Sequence, residues 1–242
     1  MSYKVNMNPQ PFSLNAPKRA LMVVAKQPAP GQTKTRLSPP LMGEQAASLY
    51  ECFLLDTLEM IREAQKQLAF TPIIAYLPVG GEDYFRQIAP DFELLLQVGN
   101  DLSERLNNAT THCLTNGYDQ TIIMDSDSPS LPVRCLVEAF QGLESADVTL
   151  GPCDDGGYYL IGLKQPAPSL FLTVTMSTPQ VTADTLDRAK QARLAVKMLP
   201  DCYDIDYVDD LKRLMNELKH LPDTVAPQTR KFLKAYAEAM NL

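Results

Sequence analysis

Two aspartates one residue apart, Asp125 and Asp127, close an apolar β-prone run in Thr121-Ile-Ile-Met-Asp125-Ser-Asp127-Ser-Pro129. Carboxylates at a strand end are hard oxygen ligands, the kind that Mg²⁺ or Mn²⁺ uses when it carries phosphates. For this pair taken alone, capping of a helix after Pro129 competes evenly with metal binding. A second acidic cluster, Asp204-Ile-Asp206-Tyr-Val-Asp209-Asp210, alternates carboxylates around Ile205, so an extended backbone turns Asp204 and Asp206 to one side. Helix N-terminal charge competes here too, most plainly for Asp209. In Gly151-Pro-Cys-Asp154-Asp155-Gly156-Gly157-Tyr158-Tyr159 two glycines follow an acid. That permits a tight turn and close approach of a ligand to the backbone, although Asp-Gly is also a common turn pair. The opposite charge lies in Ala25-Lys26-Gln-Pro-Ala-Pro-Gly31-Gln-Thr-Lys34-Thr35-Arg36-Leu37. Lysine as a point charge and arginine as a fork both suit phosphate oxygens. This is not a Walker loop, and taken alone it reads as a solvated basic loop.

The elements around these residues alternate. Ala20–Ala25 is a short buried strand, followed by the loop Lys26–Pro40. Apolar positions at helical spacing (Ala46, Leu49, Tyr50, Phe53, Leu54, Leu58, Ile61) predict a long helix from Gly43 to about Leu68, with Tyr50 in the core. Strands are expected at Pro72–Leu77, Glu93–Val98, through Asp125, Asp147–Gly151, Gly156–Gly162 and Ala195–Leu199. Helices are expected at Tyr84–Ala89, Leu102–Leu114 (capped by Asp101 or Ser103), Leu131–Leu143, Pro179–Ala192, Val208–Leu218 and Pro227–Met240. This is an α/β pattern with a mostly parallel central sheet and helices on both faces. The close succession of Asp147–Gly151 and Gly156–Gly162 predicts an antiparallel excursion. Parallel strands would carry the basic loop and the acids to one sheet edge, as a cation site beside a phosphate site.

At 242 residues the chain can bury a sizeable core, and we read it as a Pro/Asn-rich arm over residues 1–17 and a single domain over 18–242. A net charge of −7 argues against a nucleic-acid partner, which needs a basic face. Five scattered cysteines without C-x-x-C spacing suggest reduced thiols in a cytoplasmic protein and no zinc site. No membrane span and no signal peptide are expected. His112 and His220 have no motif around them, and Cys153 reads as a small filler beside the site.

The Lys26–Leu37 loop, S-D-x-P at Ser126–Pro129 and G-P-x-x-D-G-G-Y-Y-L-I-G-L from Gly151 to Leu163 resemble the DUF2064 family, a bacterial group with the glycosyltransferase-A fold of nucleotide-diphospho-sugar transferases. The resemblance runs from about Arg19 through the Asp204–Leu211 segment, and the long glycine-rich string is its specific part. It implies that Asp127 and Asp204 or Asp206 hold Mg²⁺ or Mn²⁺. It implies that Lys26, Lys34 and Arg36 meet nucleotide phosphates, with Ala25, Gly31, Thr35, Asp101 and Asp125 on the nucleotide side. Asp155, Gly156, Gly157 and Tyr158 then face the acceptor. Gly99–Arg105 resembles the family's G-x-D-L-G-E-R segment near the nucleotide. Two positions depart from the family pattern: Asp125, where glycine is more frequent, and Ser103, where glycine is usual.

The expected activity is a metal-dependent transfer from a nucleotide-activated donor, with Asp127, Asp155, Lys34 and Arg36 as catalytic residues. The partners are a nucleotide or nucleotide-sugar and an acceptor the sequence does not name, and the oligomeric state is left open. Glycosyl transfer is favoured; nucleotidyl transfer from a nucleoside triphosphate is the alternative. A haloacid-dehalogenase-type phosphatase also carries D-x-D after an apolar strand, but on its first core strand. A non-catalytic nucleotide-binding module on the same fold is the remaining alternative.

Overall fold

The computed structural model describes residues 16–240, so the expected arm, apart from its last two residues, lies outside the described part. Four parallel strands, β1 (Arg19–Lys26), β2 (Thr71–Leu77), β3 (Glu93–Leu96) and β4 (Gln120–Met124), form one half of a seven-stranded sheet. The other half contains β5 (Val148–Pro152), β6 (Tyr158–Leu163) and β7 (Val196–Met198), and the order is β3-β2-β1-β4-β6-β5-β7. Only β6 runs against its neighbours, pairing antiparallel with both β4 and β5. The five residues between Pro152 and Tyr158 are too few for a parallel crossover, which needs a dozen or more, so the chain must turn straight back.

Both faces of the sheet are covered, which is why the central strands read as nearly unbroken apolar runs. The two-residue period of β1 divides its side chains. Leu21, Val23 and Ala25 face the core under α1 (Gly43–Gln65) and α4 (Val133–Ser145). Ala20 and Met22 face the core under α3 (Leu102–Thr115), α5 (Ser169–Leu172) and α6 (Val181–Gln191). A third apolar cluster joins Leu37 and Leu41 of the basic loop to α1, to Ile205 and to α7 (Val208–Leu218) and α8 (Pro227–Met240). A short helix, α2 (Glu82–Ile88), completes the set.

The elements lie within a few residues of their sequence-based positions. The short α5 was not foreseen, since its Pro-rich approach carries no helical period. Asp101, not Ser103, caps α3, accepting from the Glu104 N–H at 2.9 Å, whereas Ser103 Oγ donates to the Val174 carbonyl. No helix of the described residues is long and apolar enough to cross a membrane.

Candidate active site

The topology sets the site. From β1 the chain moves outward through β2 and β3, then returns to lay β4 on the other side of β1. The loops leaving the carboxyl ends of β1 and β4 therefore part from each other and open a crevice, the ligand position of open α/β sheets. The basic loop leaves β1 and Asp125-Ser-Asp127 leaves β4 at this point. Because β6 is reversed, its beginning rather than its end reaches the same edge, bringing Asp155 and Tyr158. The Asp204–Asp206 segment is tied in by the Ile205 N–H donating to the Asp127 carbonyl at 3.1 Å. Ile205 points into the third apolar cluster, so the two-residue period leaves both acids on the cleft side.

The resulting cleft holds about 680 Å³. Its charged side is lined by Lys26, Lys34, Thr35, Arg36, Asp125, Asp127, Asp155, Asp204 and Asp206. Its apolar side includes Val24, Leu102, Leu106, Ile123 and Met176. Ala25, Gly157 and Tyr158 also line it, so most of the residues expected from sequence converge. Three lie elsewhere. Gly31 is exposed at the loop tip, Asp101 is spent on the cap of α3, and Gly156 sits beneath the lining. Gly156 has φ +91°, and a Cβ there would fall 2.0 Å from the Pro179 carbonyl oxygen. Its own carbonyl accepts from the Thr182 N–H at 2.9 Å. The Asp-Gly-Gly turn thus docks the Met176–Pro179 segment over the cleft, a role only glycine allows.

Two side-chain groups divide the acids. In the outer one, Lys34 Nζ lies 2.9 Å from Asp127 Oδ2 and 3.0 Å from Asp206 Oδ1, and Arg36 lies 2.9 Å from Asp206 Oδ2. The Lys34 side chain is only 5% exposed, and its backbone is left-handed (φ 47°), a conformation the two ion pairs help to hold. Burial alone would lower its pKa, but Asp127 and Asp206 outweigh it and hold the ammonium above its ordinary range.

In the inner group, Asp125 Oδ1 accepts from the Asp127 N–H at 2.9 Å, and Asp204 Oδ1 accepts from Cys153 Sγ at 2.9 Å and Ser128 Oγ at 3.3 Å. Asp125 Oδ2 and Asp127 Oδ1 are buried without a hydrogen-bond partner. Oxygens of Asp125 and Asp204 and the sulfur of Cys153 all lie within 4.8 Å of one another. Burial, with the neighbouring charges of Asp204 and Asp127, pushes the Asp125 carboxyl well above the carboxylate range. Burial likewise lifts Asp204 to about 6, the Cys153 hydrogen bond opposing and Asp127 and Asp155 adding. Two acids buried this close together resist holding two negative charges. The helix-capping alternative belongs to Asp210, which accepts from the Tyr207 N–H at 2.7 Å, while Asp209 is exposed beside Lys212. Asp125, the nucleophile a phosphatase would need on its first strand, follows the fourth strand of this chain.

Sequence reasoning undervalued two residues. Tyr50 packs in the core as expected, but its hydroxyl accepts from the Lys26 N–H at 3.1 Å and meets Ser126 Oγ at 3.0 Å, joining the loops after β1 and β4. Burial, helped by Asp127, pushes its pKa up to about 12. A helical period marks Tyr50 as apolar and says nothing of where the hydroxyl ends. Cys153, read as filler, touches Asp204. Its place within the specific glycine-rich string was the available signal.

Residues 60–178 match the family described as "Uncharacterized protein conserved in bacteria (DUF2064)". The sequence matches no curated protein. Among solved structures, the chain is similar to a candidate nucleotide-diphospho-sugar transferase from Desulfovibrio desulfuricans G20, with 30% identity, a TM-score of 0.83, and coverage of 93% of this chain and 96% of that one. It shares its fold with 4-diphosphocytidyl-2C-methyl-D-erythritol synthase from Anaerococcus prevotii (TM-score 0.56, 10% identity, 84% and 99% of the two chains). It also shares it with Rv0371c from Mycobacterium tuberculosis H37Rv, solved in complex with manganese (TM-score 0.51, 16% identity, 83% and 99%).

Proposed function

The chain belongs to the DUF2064 family, and from that premise we propose that it is a metal-dependent transferase using a nucleotide-activated donor, moving a sugar from a nucleotide-diphospho-sugar to an acceptor. One observation carries this reading. A basic loop and carboxylates from three distant segments converge in a single cleft at the switch point of the sheet. Separate helix caps and a solvated loop would have no reason to meet there.

The donor set fits a divalent cation, since Asp125 Oδ2 and Asp127 Oδ1 are buried without partners and Asp204 lies beside them. Asp125, Asp127 and Asp204 would hold it. Asp206, a ligand candidate by sequence, has one oxygen on Lys34 and the other on Arg36, so we assign it to the cations of the loop instead. Bound there, Mg²⁺ or Mn²⁺ would neutralise the donor diphosphate and stabilise it as a leaving group.

The remaining roles follow from exposure. Lys34, buried between two acids, fixes the loop and the Asp206 segment relative to Asp127. Arg36 is 57% exposed and can turn its fork from Asp206 to phosphate oxygens. Leu102, Leu106 and Val24 offer an apolar wall to the uncharged part of the donor. Asp155 has Oδ1 fixed by the Gly157 N–H at 2.8 Å, which orients its carboxylate to take a proton from an acceptor hydroxyl. All five cysteines are free, in keeping with a reducing compartment such as the cytoplasm.

A thermal-shift screen of nucleoside triphosphates and nucleotide-diphospho-sugars, each with Mg²⁺, Mn²⁺ or chelator, tests the reading. A ligand at about 100 times its Kd stabilises the native state by about 2.7 kcal/mol. We expect a cation-dependent rise with one nucleotide-sugar, lost in Asp127→Ala. A rise with a triphosphate alone would instead establish nucleotidyl transfer, and no rise with any nucleotide would defeat the proposal.

A further inference from the structure

Resting on the divalent-cation reading above, we propose that Cys153 completes the cation site as a sulfur ligand, so that the site takes a thiophilic first-row cation (Zn²⁺, Co²⁺ or Fe²⁺) in preference to Mg²⁺. The backbone holds this cysteine in place from two sides. Its N–H donates to the Gly157 carbonyl at 2.9 Å, and it forms a parallel bridge with Cys202, whose carbonyl accepts from the Asp154 N–H at 3.1 Å. The buried sulfur is thereby fixed 2.9 Å from Asp204 Oδ1, with a carboxylate oxygen of Asp125 within the same 4.8 Å cluster. Oxygen and sulfur ligands at about 2.1 and 2.3 Å from one metal stand roughly 3.1 Å apart at a right angle and roughly 3.6 Å apart at the tetrahedral angle, so these two atoms need part by less than about 1 Å to share one ion.

A plain thiol–carboxylate hydrogen bond accounts for less. The thiol has one proton, directed at Asp204, and the Lys34 ammonium is directed at Asp127 and Asp206. Asp125 Oδ2 is buried and receives a hydrogen bond from neither. A cation among these three groups satisfies Asp125 and Asp204 together. Carboxylates alone suit Mg²⁺ and Mn²⁺, while a thiolate moves the preference toward zinc, cobalt and iron. On binding, the S–H bond breaks, the proton passes to solvent and a metal–sulfur bond forms; no electron changes hands.

The test is a Co²⁺ titration of the full chain followed by absorbance, with Mg²⁺ and Zn²⁺ as competitors. Wild type and Cys202→Ser should show a near-ultraviolet thiolate-to-cobalt charge-transfer band that Zn²⁺ abolishes. Cys153→Ser should lose the band yet still bind Co²⁺ through its carboxylates, and its Zn²⁺-over-Mg²⁺ preference should fall at least roughly tenfold. If Cys153→Ser does not fold, Cys153→Ala gives the same readout. Co²⁺ binding to wild type without the band, or a band unchanged in Cys153→Ser, overturns the sulfur ligand while the transferase reading stands. Failure of every cation, Mg²⁺ included, to bind wild type overturns both.

Discussion

Asp204 and Asp206 sit two residues apart on one extended segment and line the same cleft, yet their surroundings shift their pKa values in opposite directions. Burial alone would raise both. At Asp206 the charges of Lys34 and Arg36 overcome it and hold the carboxyl below its ordinary value. At Asp204 burial prevails and lifts the group to about 6, because its neighbours are acids and a thiol. The contrast marks where side chains of the protein supply positive charge beside an acid and where they do not. Asp206 is paired with Lys34 and Arg36, while Asp204 has a thiol and a hydroxyl as its hydrogen-bond partners.

The largest test of this contrast is Lys34→Ala. It leaves Asp127 without its cation and Asp206 with Arg36 alone, each acid about a third exposed, so the loss should be about 3 kcal/mol, the low end for breaking a buried pair. Denaturant unfolding measures it, and a loss below that of an ordinary surface pair, about 0–1 kcal/mol, would show that Lys34 is not the keystone of the outer group. Asp56 separates burial from charge. It is buried with amides rather than cations as partners, accepting from the Gln228 and Thr229 N–H groups at 2.9 and 2.8 Å across the start of α8. Asp56→Ala should cost about 2 kcal/mol, as for a strong helix cap, with nucleotide binding unchanged.

A smaller but sharper test is the sign of the two neighbours. In metal-free protein at neutral pH, Asp206→Asn should destabilise by about 1 kcal/mol by weakening two ion pairs. Asp204→Asn should stabilise by about 1 kcal/mol by removing a charge from a cluster that disfavours it, and should remove the cation-dependent stabilisation. Equal signs in chelator would defeat the contrast. The smallest effect is on pH. The raised Asp125 and Asp204 contribute stability that is present in full below the ordinary carboxylate range and is lost as pH rises through about 6 for Asp204. In chelator, the stability advantage of Asp204→Asn over wild type should therefore grow between pH 5 and pH 7.5, by about 1 kcal/mol, and its melting temperature should rise with it. A divalent cation needs the carboxylates ionised, so it should stabilise wild type more at the upper pH than at the lower. Melting curves at both pH values, with and without Mn²⁺, check both trends.

The alternation of strands and helices, the reversed β6 and the sheet edge that carries the site were readable because each depends on local patterns. These are an apolar period of two or 3.6, glycine after an acid, and a connection too short for a crossover. The acids after β4 and the basic loop after β1 likewise stand out in the sequence by charge and spacing, and they line one cleft. The partner of each acid was not. The family resemblance offers Asp204 or Asp206 as a metal ligand without choosing, and Lys34, 172 residues away in sequence, reaches Asp206. Asp101 carries the spacing of the nucleotide segment, yet its side chain is spent on its own helix.

Residue types, spacing and connection lengths mark which side chains could do chemistry and imply that a parallel sheet brings them to one edge, because side-chain period and the length of each connection are local properties of the chain. Which carboxylate meets Lys34, which meets Cys153 and which oxygens of Asp125 and Asp127 are buried without a partner follows from the packed fold alone. Those outcomes depend on distances of a few ångströms between segments separated by tens of residues or more. Coulomb and desolvation energies change steeply over such distances.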